Sequence, residues 1–187
     1  MANTEQKGIK PLAIPLSDEL QELMGQIFPK TLPSPNLYRI VAKNKGLFQD
    51  LIATQFIGPT GVFDKGRLAP KLRELVILRT CKANENLYEY TLHKGTISQK
   101  MGLTSQQIYD IWEAKVNPKI WDPSEVCLFE LIDCLAHKKD INPQLYTSLK
   151  IHYTESILIE IILLVGFYTS VSMLVHFANP PLDTYTK

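Results

Sequence analysis

The segment RELVILRTCKANENLYEYTLH, residues 73–93, decides the fold. Its apolar residues recur at helical spacing on both sides of a short break at residues 82–85, which predicts two successive helices. Helices joined by so short a connection usually pack side by side. The polar members with usable chemistry are Glu74, Cys81, Asn86, Glu89 and His93. We therefore expect any active site of this protein to lie between these two helices.

Helical spacing sorts these residues onto faces. Glu74 and Cys81 are seven positions apart, so they share one face of the first helix. Asn86, Glu89 and His93 are spaced three and then four apart, so they line one face of the second helix. We expect the two faces to meet across a narrow gap, which would place two carboxyl groups, a thiol and an imidazole together.

The rest of the chain predicts an all-α protein with about eight or nine helices. No run of alternating apolar and polar residues predicts a strand, and proline and N-cap residues mark the helix starts. Residues 1–16 are predicted to form a loose arm and residues 17–187 a single all-α domain. The further helices are expected at about residues 17–28, 34–43, 47–57, 104–114, 122–137, 142–152 and 154–177.

Composition limits the classes of partner and site. The net charge is +1 and no basic run occurs, which argues against nucleic acid or an anionic membrane surface as a partner. The three cysteines form no CxxC pair, so neither a disulfide framework nor a zinc site is expected. We expect no metal and no cofactor. The N-terminal residues lack an apolar signal-peptide core, which predicts a cytoplasmic protein.

The last predicted helix is apolar on almost all sides. Its uninterrupted run, IILLVGFYTSVSMLVHF at residues 161–177, follows Glu160 and contains Thr169 and His176. A membrane span needs about 20 mostly apolar residues, so we expect no membrane insertion. A helix of this kind also suits a buried core or a subunit interface, which predicts a homo-oligomer.

Two segments resemble a known family. The segment RELVILRTCKANENLYEYTLHKGTISQKMGLTSQQI, residues 73–108, is similar to the central motif of the carboxymuconolactone decarboxylase family, which includes the alkyl hydroperoxidase D proteins. The segment LIEIILLVGFYTSVSMLVHFANPPLD, residues 158–183, resembles the closing helix of longer members. The resemblance covers about residues 35–182. It implies the alkyl hydroperoxidase D-like helical fold and a homo-oligomer, commonly a trimer or hexamer.

The resemblance also implies roles for individual residues. The peroxidase branch of the family uses a glutamate, a CxxC pair and a histidine, and the glutamate and histidine align with Glu74 and His93. The two cysteine positions fall on Asn86 and Glu89, so the redox pair is absent. The YEYTLH pattern at residues 88–93 instead resembles the cysteine-free branch, whose nominal reaction is decarboxylation of a carboxylated muconolactone.

The first functional hypothesis is an acid–base enzyme acting on a small carboxylated or lactone substrate. Glu89 would orient the His93 imidazole, and Glu74 would supply a second proton carrier. The reaction would be loss of carbon dioxide or a proton shift next to a carbonyl. The residues expected to line the pocket are Asn86, Tyr88 and Tyr90. The plainer alternative is a structural Glu89–His93 pair that holds two helices together.

Two further hypotheses use the same fold differently. One is an antioxidant, peroxiredoxin-type protein using Cys81; the other is an oligomeric binding module without chemistry. Cys81 lies near a helix C-terminus and faces carboxylates, which predicts a raised pKa and a buried, inert thiol. Two cysteines, Cys127 and Cys134, are predicted to lie in the core with no role in the site. Three histidines are also predicted to have no role, each lying at the surface or satisfied by other contacts: His137, His152 and His176.

Overall fold

A computed structural model describes residues 8–59 and 61–185. Over those residues the chain forms nine α-helices, one 3₁₀ turn at Val62–Asp64 and no strand, which confirms the all-α prediction. The helices are α1 (Asp18–Ile27), α2 (Asn36–Val41), α3 (Lys45–Ala53), α4 (Pro70–Ala83), α5 (Leu87–Thr96), α6 (Ser105–Asp110), α7 (Pro123–Ala136), α8 (Pro143–His152) and α9 (Glu155–Ala178).

The chain divides into two compact units. One contains the residues up to Lys65 together with those from Met173 onward, and the other is Gly66–Ser172. All the residues predicted for the site lie in Gly66–Ser172. The predicted boundary between an arm and a domain at residue 16 stays a prediction.

The unit that contains α1 has its own small core. Leu12 and Leu16 pack against this core, and the backbone N–H of Leu12 donates to the Arg39 carbonyl at 3.4 Å. The Arg39 guanidinium in turn donates to the Leu12 carbonyl at 2.6 Å. Within residues 8–16 the chain thus makes packing and hydrogen-bond contacts with this core, while residues 1–7 lie outside the described part and the arm over residues 1–16 stays a prediction. The buried core residues are Met24, Ile27, Ala42 and Phe48.

Helix α4 is the centre of the other unit. Every residue from Glu74 to Cys81 is buried, so this helix is enclosed on all sides by neighbours that include α5 and α7. A helix buried all round has to pair its polar side chains within the protein, because an unpaired buried charge is costly. Glu74 and Arg79 are the two charged members of this stretch. Their partners determine what the site can do.

Local capping signals predicted several helix starts correctly. Gln107 and Thr104 form the expected capping box before α6, with the Gln107 N–H donating to Thr104 Oγ1 at 3.2 Å. Before α8, the Asn142 side chain accepts from the Leu145 N–H at 2.8 Å. These contacts depend on residues three apart in sequence, so the sequence alone reveals them.

Other boundaries differ from the predictions. Helix α3 begins at Lys45, before residue 47, and so includes Gly46 in its first turn; this glycine is solvent-exposed and a side chain there would meet open space. Helix α2 begins at Asn36, after residue 34, and α3 ends at Ala53, before residue 57. The break between α4 and α5 falls at residues 84–86, slightly later than predicted.

Helix α9 is not a fully buried core helix. It has 24 residues, with a mean hydropathy of 2.2 over its most apolar window, of which 28% is buried. By length and composition alone, this one helix among the described residues is apolar enough to cross a membrane. One face is buried and the opposite face carries exposed apolar side chains. Burial in a core therefore does not account for the apolar residues of that exposed face. We call the exposed set the apolar stripe: Ile159, Ile162, Leu163, Met173 and Phe177.

Candidate functional site

An ion pair between Glu74 on α4 and His93 on α5 forms the centre of the candidate site. The His93 Nδ1 atom lies 3.1 Å from both carboxylate oxygens of Glu74. The Ser98 hydroxyl donates to Glu74 Oε1 at 2.6 Å from just beyond the end of α5. Glu74 and Ser98 are completely buried, and His93 is 9% exposed. The structure thus brings together the glutamate and histidine that the sequence placed on facing helices.

The two partners shift each other's pKa. Burial by itself raises the pKa of Glu74, but the His93 charge and hydrogen bonds from His93 and Ser98 outweigh it, so this pKa lies below its ordinary value. Burial by itself lowers the pKa of His93, but the charge and hydrogen bond of Glu74, and then the charge of Glu89, raise it above its ordinary value. Both shifts favour a carboxylate facing an imidazolium.

Glu89 lies on the other side of the imidazole. Its Oε2 atom is 3.7 Å from His93 Nε2, one helical turn away on α5. Glu74 makes the shorter, two-oxygen contact, so the geometry favours Glu74 as the residue that orients the ring, and the role predicted for Glu89 stays a prediction. The imidazole therefore sits between two carboxyl groups, with Nδ1 held and Nε2 facing a second set of partners.

Tyr168, on α9, faces the same nitrogen. Its hydroxyl is 3.5 Å from His93 Nε2, and the two rings meet edge to face with centroids 5.8 Å apart. Neither Tyr168 nor Ser98 was singled out from the sequence. Tyr168 and Ser172 lie four residues apart on the buried face of an otherwise apolar helix, and that spacing was the one available signal.

Asn86 connects the start of α5 to α9. As the N-cap of α5, its Oδ1 atom accepts from the Glu89 N–H at 3.1 Å. Its Nδ2 atom donates to Ser172 Oγ at 3.0 Å, and this hydroxyl donates to the Tyr168 carbonyl at 2.7 Å. Asn86 thus fixes the position of Tyr168 relative to α5.

The two tyrosines expected to line a pocket are both buried. The Tyr90 hydroxyl donates to the Ile108 carbonyl at 2.8 Å, and its ring lies 4.3 Å from that of Trp112. Burial raises the pKa of Tyr90 to about 12. Tyr90 therefore binds the region of α6, and the predicted pocket of Asn86, Tyr88 and Tyr90 stays a prediction. A cleft of about 380 Å³ lies in the other unit, beside α1 and the loop after it.

The sequence matches no family model and no curated protein. Similar solved structures include a protein of unknown function from Agrobacterium tumefaciens, a candidate antioxidant defence protein AhpD, with a TM-score of 0.67 at 16% identity over 78% of this chain and 97% of that one. The apo debrominase Bmp8 has a TM-score of 0.75 at 12% identity, over 94% of this chain and 92% of its own.

An uncharacterized peroxidase-related protein from Silicibacter sp. TM1040 has a TM-score of 0.75 at 16% identity, over 98% of this chain and 96% of its own. The chain has the alkyl hydroperoxidase D-like fold. At these identities the likeness is one of fold and leaves the reaction, including decarboxylation, to be argued from the site.

Within this alkyl hydroperoxidase D-like fold, Cys81 is poorly placed for thiol chemistry. It is completely buried, and burial, followed by the charges of Glu89 and Glu74, raises its pKa well above the ordinary value. The predicted raised pKa is confirmed. Arg79 and Lys82 do not offset it: Arg79 pairs with Asp133, and Lys82 stacks on Trp112 at 5.3 Å.

The remaining candidate ligands are dispersed. Over residues 8–59 and 61–185, no three histidine, cysteine, aspartate or glutamate side chains cluster to hold a metal ion. Cys127 is buried as predicted, while Cys134 is only partly so. Three histidines are exposed, which is one of the two settings predicted for each: His137, His152 and His176.

Proposed function

We propose that the protein is an acid–base enzyme that acts on a small carboxylated or lactone substrate. In its reaction, His93 Nε2 exchanges a proton with the substrate. The observation that carries this proposal is the two-oxygen contact between Glu74 and His93 Nδ1. A carboxylate that holds Nδ1–H fixes the tautomer and leaves Nε2 as the atom that exchanges protons, as in other histidine-dependent sites.

Each group has a distinct role in this proposal. Glu74 orients the imidazole and stabilises its charged form, with Ser98 holding the Glu74 carboxylate in place. Glu89 adds a second stabilising charge near Nε2. In a decarboxylation, the electron pair of the breaking carbon–carbon bond stays on the substrate as carbon dioxide leaves. The His93 imidazolium then gives its Nε2 proton to that carbon, which restores neutral histidine.

A thiol-dependent antioxidant is the second candidate, because two of the similar structures belong to a candidate antioxidant defence protein and a peroxidase-related protein. Its nucleophile would be Cys81, alone or with a cysteine of another subunit. Complete burial and a raised pKa both reduce the thiolate that such chemistry requires. A non-catalytic binding module is the third candidate, in which the Glu74–His93 pair would only stabilise the fold.

Deuterium incorporation tests the acid–base proposal without a known substrate. A panel of small lactones and keto acids is incubated with the protein in D₂O, and NMR follows exchange next to the carbonyl and loss of carbon dioxide. His93→Asn should lower the rate on any compound turned over by about 100-fold or more. The matched control is His152→Asn, which changes an exposed histidine on α8 and should leave the rate unchanged. Equal rates in the two variants would refute the proposal.

We also propose that the protein is a cytoplasmic homo-oligomer, a trimer or hexamer, assembled through the apolar stripe of α9. The support is physical: exposed apolar side chains on one face of a long helix form the kind of patch that oligomers cover. Light scattering on a sizing column measures the mass, and Leu163→Glu should lower it. Leu47→Glu, at an exposed leucine of α3, is the control. A native protein that runs as a 21.3 kDa monomer contradicts this assembly.

A further inference from the structure

We propose that Tyr168 is a second proton-transferring residue, whose hydroxyl carries the proton between His93 Nε2 and the substrate. The inference rests on the proposed acid–base function and extends it by naming the group that contacts the substrate. It assigns a role to α9, a helix that the sequence connected only with packing and assembly.

The geometry around Nε2 carries the inference. Nδ1 is occupied by Glu74, so protons enter and leave the ring through Nε2. The Tyr168 hydroxyl lies 3.5 Å from this nitrogen, with the two rings inclined at 81°. Catalytic hydrogen bonds are often long before substrate binds and shorten in the complex.

Glu89 also approaches Nε2, at 3.7 Å, but it offers a different chemistry. An ionised carboxylate only accepts hydrogen bonds, whereas a phenol donates one and accepts another at the same time. A group that receives one proton while it gives up another in the same step has to do both. Glu89 therefore suits charge stabilisation, and Tyr168 suits transfer.

The position of Tyr168 is fixed by polar contacts that no packing requirement explains. Ser172, one turn further along α9, donates to the Tyr168 carbonyl at 2.7 Å and accepts from Asn86 at 3.0 Å. Asn86 is the N-cap of the helix that carries His93. The start of α5 and the turn of α9 that bears Tyr168 are thus held together, which keeps Tyr168 close to His93.

The proposed step conserves protons and electrons. The imidazolium gives its Nε2 proton to the Tyr168 oxygen while the hydroxyl gives its own proton to the basic atom of the substrate. Neutral His93, an unchanged Tyr168 and a protonated substrate result. The reverse sequence removes a proton next to a carbonyl, so one relay serves both reactions considered above.

Exchange of the His93 Nε2 proton with water tests the relay without any substrate. The protein is labelled with ¹⁵N-histidine, and the exchange rate is measured by NMR at a pH where His93 is protonated. In Tyr168→Phe the ring and its packing remain while the hydroxyl is lost, and we expect exchange to slow by about tenfold or more because the transferring group is gone. Unchanged or faster exchange would mean that Tyr168 only covers the ring, and the inference would fail.

Tyr153→Phe is the matched control. It removes another partly buried hydroxyl of the same unit, one that donates to the Ser124 carbonyl at 2.9 Å. Equal slowing in this variant would assign the effect to general opening of the protein and overturn the relay. If Tyr168→Phe does not fold, native protein made with 3-fluorotyrosine replaces it: the more acidic phenol should alter the exchange rate, and an unaltered rate overturns the relay.

The same variants separate this inference from the proposed function. On any compound turned over, Tyr168→Phe should lower kcat by about 100-fold, while Tyr153→Phe should not. Loss of turnover in His93→Asn with full turnover in Tyr168→Phe would refute the relay alone. Full turnover in His93→Asn would refute the acid–base function itself.

Discussion

Helix α4 supplies a buried charged residue to each of two ion pairs, and the pairs differ in how the second partner is bound. Arg79 binds both oxygens of Asp133, at 2.8 and 2.5 Å, and also donates to backbone carbonyls at the end of α6. Glu74 contacts only one nitrogen of His93, Nδ1, and the other nitrogen, Nε2, faces Glu89 and the Tyr168 hydroxyl. In the first pair, the hydrogen bonds of the guanidinium hold helices together. In the second pair, Glu74 holds Nδ1 of His93 and does not contact Nε2. Burial and charge alone would not distinguish them.

Removing Arg79 should have the largest effect on stability. Arg79→Met leaves the Asp133 carboxylate and several backbone carbonyls without their donor, which should cost about 3 kcal/mol of unfolding free energy. Asp133 is 35% exposed, so we expect the low end of the range for buried pairs. Urea unfolding measures the loss. Lys45→Met is the control, because the side chains of Lys45 and its partner Glu19 are both about half exposed, so the change should cost about 1 kcal/mol or less. Equal losses of unfolding free energy in the two variants would show that the buried and the exposed pair do not differ in their contribution to stability.

The Glu74–His93 pair should give a pH dependence of stability that the Arg79 pair lacks. The pKa of His93 is raised above 6.5, so its contribution is full below pH 6.5 and is lost as the pH rises through the raised value. The pKa of Glu74 is lowered below 4.5, so its contribution is full above pH 4.5 and is lost as the pH falls through the lowered value. The pair should therefore stabilise most between pH 4.5 and 6.5.

Urea unfolding across pH checks this window. The native protein should lose stability on the alkaline side, and His93→Asn should remove that loss. Glu89 on the same helix, and Tyr168 and Arg73 on neighbouring helices, also act on His93, so the comparison uses the difference between the two proteins and not the native curve alone. An alkaline loss of the same size in His93→Asn would show that other groups cause it.

The two glutamates should affect His93 unequally. Glu74→Gln should lower the pKa of His93 more than Glu89→Gln does, because Glu74 lies 3.1 Å from the ring and Glu89 3.7 Å. NMR titration of the histidine signals measures both shifts without a substrate. Identical titration in Glu89→Gln and the native protein would remove Glu89 from the site. A larger shift in Glu89→Gln than in Glu74→Gln would reverse the assignment made from the distances.

The smallest effect is expected for Cys81, a completely buried residue of α4. Cys81→Ala should leave peroxide consumption with a dithiol reductant at the same low level as in the native protein, because the thiol is buried and its pKa is raised. Cys134→Ala, at a more accessible cysteine, is the control. Strong native turnover that disappears only in Cys81→Ala would promote the antioxidant hypothesis over the acid–base one.

Some of these features could be predicted from the sequence because they depend on neighbours in the chain. The capping box at Thr104, the cap at Asn142 and the placement of Glu74 opposite His93 all follow from spacing along helices. The apolar character of α9 was equally plain, but whether its faces are buried depends on which elements pack against it. Spacing could not decide between a core helix and an exposed stripe.

The features that were missed depend on contacts between distant segments. Helix α6 ends at Asp110 and not near residue 114, and Arg79 donates to the carbonyls of Ile111 and Glu113 in place of continued helical hydrogen bonds. Arg79 lies 32 residues away from Ile111 in the chain. Tyr168 and Ser98 were missed for the same reason. The sequence pointed to Glu89 and not to Glu74 as the residue that orients His93, because four-residue spacing is visible in sequence and contact between helices is not.

The bonding of Asn86 has a consequence for how this site can change over evolutionary time. Its position corresponds by resemblance to a cysteine of the peroxidase branch, yet here it caps α5 and reaches Ser172. A single change to cysteine would lose both contacts, at a cost of about 1 kcal/mol for the cap alone, before any second thiol exists at Glu89. A thiol at this position would therefore lower the stability of the protein before any disulfide could form.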